Sequence, residues 1–346
     1  MDLECTKESP AYYTICLHIL AAISFPINCF GCYLVIFRTP HNSKYKYRQL
    51  YLQITSFIVE NYMTWIAAGY YFFPMTGGFT TSSISDKFMR THMCVVFYFF
   101  TFSYEMPALF CCFQYRADAA AELNTKYRIP TYITFPLFIL AHSFPVTLGC
   151  LMYISEPSRD EQYKTLVTNF PKCLHMLDHP RFIVYDWRSN FWLIVAGTTA
   201  IIWMVSFTLY HGFLALYTMS ILQSMRKHMS NATFKIHKAA LLTITLQCII
   251  PMGAIVVPVF FIFIVVLKEL TQLQEIATDG MFLIAIHSLV STIVMIFCNS
   301  KYSEIVRGFI GLALHQGSNA TIEVISTTHV SNTVLTSRKI STRNRI

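Results

Sequence analysis

The stretch Phe191-Trp-Leu-Ile-Val-Ala-Gly-Thr-Thr-Ala-Ile-Ile-Trp-Met-Val-Ser-Phe-Thr-Leu-Tyr-His-Gly-Phe-Leu-Ala-Leu-Tyr217 contains no Asp, Glu, Lys or Arg. As a helix rising 1.5 Å per residue it would be about 40 Å long, more than the roughly 30 Å of a bilayer's hydrocarbon core. Its apolar residues run on without the alternation that a membrane strand requires. Six further stretches read the same way, which makes seven expected spans: Tyr12–Phe37, Leu50–Phe73, Met93–Tyr115, Tyr132–Ile154, Phe191–Tyr217, Ala239–Leu267 and Met281–Cys298. Composition agrees. Of the 346 residues only 13% are charged while 54% are apolar, and mean hydropathy is +0.47. A soluble chain could not cover its surface with so few charges. The fold class expected is an all-α integral membrane bundle of seven transmembrane helices.

Orientation follows from the charges. The N-terminal segment 1–11 carries Asp2, Glu4 and Glu8 against Lys7, the reverse of a cleavable signal's basic start. With the N-terminus outside, 17 of the Lys and Arg fall on the inner side and 9 on the outer, whereas acids lie mostly outside. The positive-inside rule therefore favours an outer N-terminus and a cytoplasmic C-terminus. The net charge of +8 is an imbalance between two faces rather than a nucleic-acid signature. The only sequons, at Asn231 and Asn319, fall in segments this topology places inside.

Among eleven cysteines, those within spans behave as small apolar residues. Cys94 opens span 3 on the outer side and Cys173 stands in the long loop after span 4, so a Cys94–Cys173 disulfide is expected, with Cys5 as the competing partner. Such a bond would remove loop entropy worth roughly 4.5 kcal/mol. Cys173 also neighbours His175, Asp178 and His179, but a bridged cysteine cannot ligate, and no metal is assigned. Within the spans two acids stand out, Glu60 and Glu105, each costing about 2.5–3.5 kcal/mol to insert. Each reads as a ligand-pocket group, a proton- or ion-linked switch, or an interhelical hydrogen bond, with His18, His142, His211 or His287 as possible partners. Prolines at 26, 107, 136, 145, 251 and 258 fall inside spans, where kinks are tolerated.

There is no Walker loop, no His-Glu-x-x-His, no Gly-x-Ser-Gly nucleophile and no Gly-x-Gly-Asp pair, and span 7 holds no lysine to anchor retinal. No enzyme chemistry and no cofactor are expected. The inner segment Arg226, Lys227, Lys235, Lys238 carries only basic charge, which suits an acidic partner or anionic lipid headgroups. The tail over 312–346 is rich in Ser and Thr and reads as disordered, either a phosphorylation platform or a passive extension.

Several motifs are similar to one family. They are His18…Pro26-Ile-Asn28…Gly31-Cys-Tyr33-Leu34…Arg38-Thr-Pro40, Tyr47-Arg48-Gln-Leu-Tyr51-Leu, Gln247 with Pro251 and Pro258, and His287-Ser-Leu-Val-Ser291-Thr292-Ile-Val-Met295 followed by Asn299-Ser-Lys-Tyr302. Over roughly Ala11–Gly311 the chain resembles the serpentine chemoreceptors of nematodes, in particular the Srh and Sri branches. The resemblance implies a G-protein-coupled receptor for environmental small molecules, in the plasma membrane of sensory neurons and their cilia. A heterotrimeric G protein would be the inner partner, with a receptor kinase and arrestin at the tail. Carried over by position, Arg116 stands where such receptors hold an Asp-Arg-Tyr arginine, although Tyr115 precedes it here. Asn299…Tyr302 matches the polar end of span 7 without its usual proline. Pro251 and Pro258 would hinge span 6. The competing function is an ion channel or transporter with a polar path through Glu60 and Glu105.

The topology is directly testable. Glycosylation mapping in microsomes should leave Asn231 unmodified; sugar on that residue would invert the bundle.

Overall fold

The structure, a computed structural model, describes residues 5–39, 44–82, 84–122 and 125–308. The chain divides into two compact units, Met1–Cys298 and Asn299–Ile346. Of the second unit, 300–308 is helical; the tail over 312–346 and Asn319 lie outside the described residues.

In the first unit, α1 (Ala11–Tyr33), α2 (Lys44–Asn61), α3 (Thr91–Ser103), α4 (Glu105–Ala121), α5 (Thr131–Ile154), α6 (Arg159–Asn169), α7 (Phe191–Ser224), α8 (Asn231–Leu267), α9 (Gln274–Ala285) and α10 (His287–Cys298) follow in order. Among the described residues, five helical stretches are long and apolar enough to cross a membrane: Ala11–Arg38, Thr91–Ala121, Thr131–Ile154, Phe191–Ser224 and Thr271–Cys298. The sixth expected crossing is α8, in which Gly253–Leu267 is an apolar helical stretch among the described residues. It runs unbroken through both Pro251 and Pro258. The seventh, α2, is less apolar because its buried face is polar, carrying Gln49, Gln53, Ser56 and Glu60.

Span 2 differs from its expected course over Leu50–Phe73. The helix begins at Lys44, passes through a π-helical turn at Tyr62–Ile66 and stops. Those residues already measure about 34 Å at helical rise, so the membrane is crossed before Tyr70. Beyond it, β1 (Gly69–Phe72) pairs antiparallel with β2 (Gly77–Thr80), and β2 with β3 (Ile183–Val184) from the loop after span 4. Aromatic residues suit a half-buried pleated surface. Gly78 is required there, since a Cβ would lie 2.3 Å from the carbonyl oxygen of Tyr70.

Spans 3 and 7 are each broken near the middle. Span 3 breaks at Tyr104, between α3 and α4. Pro107 supplies the reason, because it has no N–H to give and its ring crowds the carbonyl four residues back, at Ser103. Span 7 starts earlier than Met281, at Gln274, and breaks at Ile286. Span 4 lies close to its expected limits, while spans 5 and 6 extend further on the Arg226–Lys238 side, as far as Ser224 and back to Asn231.

The two largest of the hydrophobic clusters among the described residues span the bundle. One joins Tyr13 and Leu17 of α1, Phe72, Met75 and Phe79 of the hairpin, Leu166 and Met176 of the loop, and Met281 and Ile284 of α9. The other packs Leu52 of α2 and Leu109, Phe113, Ala117 and Ala120 of α4 against Leu214 and Ile221 of α7 and Ile244 of α8. Its alanines bring backbones close, the usual means of packing helices in lipid.

The disulfide joins Cys5 to Cys173, with Cα atoms 5.5 Å apart. The expected Cys94–Cys173 bond is not formed, because Cys173 is taken by Cys5, and Cys94 is buried. The loop reaches span 3 by hydrogen bonds instead. Thr91 Oγ1 donates to Arg181 O at 2.7 Å, and Tyr185 OH lies 2.8 Å from His92 Nδ1. The Cys94 carbonyl accepts from Tyr62 OH at 3.0 Å. With Cys173 bridged, His175 sits 3.1 Å from the Cys5 carbonyl and His179 packs on Phe79.

Non-reducing peptide mapping should recover a Cys5–Cys173 crosslink. Cys5→Ser and Cys173→Ser should lower thermal stability alike, whereas Cys94→Ser should retain the crosslink; a Cys94-linked peptide would refute this connectivity.

Candidate functional site

The breaks in spans 3 and 7 meet. Glu105 is the first residue of α4 and His287 the first of α10, and His287 Nε2 lies 2.7 Å from Glu105 Oε1. Both are buried, at 0% exposure for His287 and 6% for Glu105. His287 Nδ1 faces the Ile284 carbonyl at 2.5 Å. A carbonyl only accepts, so Nδ1 carries a hydrogen. The contact between Nε2 and Oε1 then holds one proton, on the carboxyl or on the ring. Either way the pair is electrically neutral as a unit, which lets it reside in a medium that would penalise an isolated charge.

Toward the hairpin side, the ring of Phe102 stands edge-on to His287 at 6.3 Å, and Tyr98 stacks on Phe102 at 5.6 Å. The hairpin and loop cores adjoin these aromatics. Tyr70 and Phe72 are buried core residues. Phe97 and Phe100, by contrast, border an apolar hollow of about 360 Å³ between α3 and α5.

Around Glu60, α1, α2 and α10 are tied by side-chain hydrogen bonds. Asn28 Nδ2 donates to Glu60 Oε2 at 2.7 Å. The Asn28 Oδ1 accepts from Gln53 Nε2 at 3.1 Å, from Ser288 Oγ at 3.4 Å and from Thr292 Oγ1. Gln53 Nε2 also reaches Thr292 Oγ1 at 2.5 Å. Glu60 Oε1 has no partner among the described residues. Asn28, Gln53, Ser288 and Thr292 are site residues that attention to charged groups alone passes over. Their signal was spacing: Gln53 and Glu60 stand two turns apart on α2, and Ser288 and Thr292 one turn apart on α10, so each pair shares a helix face. Gly31 permits the approach, since a Cβ there would lie 2.6 Å from Thr292 Cγ2.

The opposite end of the bundle is organised by arginines. Arg116 lies over the ring of Tyr45 at 3.6 Å, linking spans 2 and 3. Arg48 donates to the Cys111 carbonyl at 3.4 Å. The acid nearest Arg116 in sequence, Asp118, accepts from Gln114 Nε2 at 3.0 Å. Arg226, Lys227, Lys235 and Lys238 are all exposed, the first two on a 3-10 turn and the others in the opening turns of α8. Tyr302 belongs to the second unit. Pro258 approaches Gly280, whose Cβ position lies 3.4 Å from the proline ring; the Pro251 side chain lies outside the described residues.

The sequence profile of the serpentine type 7TM GPCR chemoreceptor Sri family matches residues 3–306. The chain belongs to this family. A search of curated proteins finds no match. Membership makes this Sri chain a seven-transmembrane chemosensory receptor, of a receptor family rather than an enzyme family, and decides between the two branches it resembles.

Gly31→Val should destabilise the receptor by about 1–3 kcal/mol through overpacking against Thr292, read as a lower melting midpoint in detergent. An unchanged midpoint would contradict the close approach of α1 to α10.

Proposed function

We propose that this Sri receptor binds an environmental small molecule from its outer side and signals to a heterotrimeric G protein through its inner loops. The observation that carries the reading is the Glu105–His287 contact of 2.7 Å at two facing helix breaks. A helix break frees each half to tilt separately, and a neutral one-proton pair joins the two breaks at one point. Displacing the aromatics above it, Tyr98 and Phe102, would move His287 relative to Glu105. Ser288 and Thr292, on the same helix, carry that motion to Asn28, Gln53 and Glu60. Glu105 and His287 thus act as the switch, with Glu60 in the network that it biases. A ligand shifts such an element only through different affinity for its two arrangements.

The N-terminus lies outside in this reading, at the plasma membrane, with sensory cilia as the site of use. Span 6 moves about Pro251 or Pro258. That presents the exposed Arg226, Lys227, Lys235 and Lys238 to the acidic surface of the G protein, with Arg116 contributing from span 3 and Tyr302 from the segment that follows span 7. The Ser/Thr-rich tail over 312–346 serves a receptor kinase and arrestin, which completes the domain plan of outer segment, seven-helix domain over 12–311 and tail.

The test is an odorant panel on cells expressing the receptor with a promiscuous G protein. Glu105→Gln should shift agonist potency about tenfold or more at constant surface level, as loss of a charge-assisted hydrogen bond implies. Arg116→Ala should lower maximal signalling while agonist binding persists. Superimposable dose–response curves would remove Glu105 from the switch, and ion currents in bilayers free of G protein would replace the receptor mechanism with a channel.

A further inference from the structure

A second arrangement lies away from the switch, on the flank of the bundle. The hollow of about 360 Å³ between α3 and α5 is bordered by the second and third turns of α3 and the last turns of α5. Its walls carry no charged side chain. Phe97 and Phe100 stand one turn apart on α3, and Val146, Cys150 and Tyr153 recur at helical spacing on α5, so each set shares a helix face. Phe97, Val146 and Tyr153 are exposed, as is Cys150, so the hollow opens sideways onto whatever surrounds the bundle. In a membrane that is lipid.

Gly149 gives the hollow its floor. A Cβ there would lie 3.0 Å from Phe100 Cδ2, so the Phe100 ring packs directly against the α5 backbone and the space beside it stays unfilled. From Val146 to Tyr153 the trough runs about 10 Å at helical rise.

One end of the trough is polar. The Tyr153 hydroxyl has no hydrogen-bond partner among the described residues, while the Tyr153 carbonyl accepts from His92 Nε2 at 3.1 Å. Three residues further on, Glu156 pairs with Arg90 at 3.0 Å. That pair cancels its own charge, so it gives a charged headgroup no advantage over a neutral one. The complementary ligand is therefore a neutral amphiphile with a short polar end and a long apolar body.

We propose that this hollow is a sterol site. The fused rings lie flat on Phe97 and Phe100, the sterol hydroxyl exchanges a hydrogen bond with the Tyr153 hydroxyl, and the hydrocarbon tail runs past Val146 toward the middle of the bundle. A rigid ring system loses little conformational freedom in a fixed trough, whereas a flexible acyl chain must be ordered to fill it. A lone hydroxyl, both donor and acceptor, matches the one that Tyr153 offers. Occupancy reaches the loop after α5 through His92, which bonds both the Tyr153 carbonyl and the Tyr185 hydroxyl. Placing the sterol in the outer leaflet rests on the receptor topology proposed above; its binding does not.

The full-length receptor in lipid nanodiscs is photolabelled with a diazirine-bearing cholesterol analogue, and the labelled peptides are mapped by mass spectrometry. The label should fall on α3 and α5. Cholesterol should displace it at a concentration at least about fivefold lower than epicholesterol, whose hydroxyl has the opposite configuration, as loss of one hydrogen bond implies. Tyr153→Phe should erase that preference while labelling persists. Cys150→Trp, which fills the hollow from a lipid-facing position, should abolish labelling there with an unchanged melting profile. Should Cys150→Trp fail to fold, Tyr153→Phe carries the test alone. Label spread evenly over the bundle, phosphatidylcholine displacing it as well as cholesterol does, equal displacement by the two epimers, or behaviour unchanged in the folded variants would each overturn the proposal. No agonist or signalling enters these measurements, so their failure is separate from failure of the odorant-panel test.

Discussion

A bilayer offers a buried polar group no water to fall back on, which favours partners within the protein, although single atoms such as Glu60 Oε1 go without one among the described residues. That constraint governs the interior of this receptor. Glu105 and His287 satisfy it as a pair that is neutral whichever atom holds the shared proton. Asn28 satisfies it by using both ends of its amide, donating to Glu60 while its oxygen collects three donors from α2 and α10. Because these bonds run between helices rather than within them, they also determine which helices stand side by side. Spans 1, 2 and 7 are held through Asn28, and spans 3 and 7 through Glu105.

The loop-side end is built on a different principle. There the chain leaves helical geometry and forms a three-stranded sheet, whose aromatic residues pack onto Tyr13, Met281 and Ile284 at the ends of α1 and α9. Strand backbone is satisfied by its neighbours, so β3 can bring the loop after span 4 over the bundle. Two glycines in β2, Gly77 and Gly78, let the strands on either side approach closely.

Much of this architecture was legible in the sequence, because hydropathy measures what a bilayer selects. The crossings at Phe191 and Tyr132 needed nothing further. The end of span 2 was harder, since Tyr70 to Phe73 are as apolar as any helix; only Pro74 and the Gly77-Gly78 pair that follows hinted at a turn. The break at Tyr104 was readable in principle from Pro107, whereas the break at Ile286 has no proline or glycine beside it and is visible only in the coordinates. Glu60 and Glu105 announced themselves by their insertion cost. Asn28 and Thr292 did not, because uncharged polar residues are common in membrane helices and become a network only when three helices are superposed. The disulfide was ambiguous for a related reason: three cysteines were plausible partners, and spacing along the chain does not reveal distance in space.

The Cys5–Cys173 bond gives the chain a biosynthetic clock. Its two cysteines are 168 residues apart, and four crossings intervene. At about 5–20 residues per second, Cys5 waits roughly ten to thirty seconds for its partner to be made. Oxidation of Cys5 therefore reports that the first four crossings have been synthesised, and a receptor stalled earlier would be marked by a free thiol near its N-terminus.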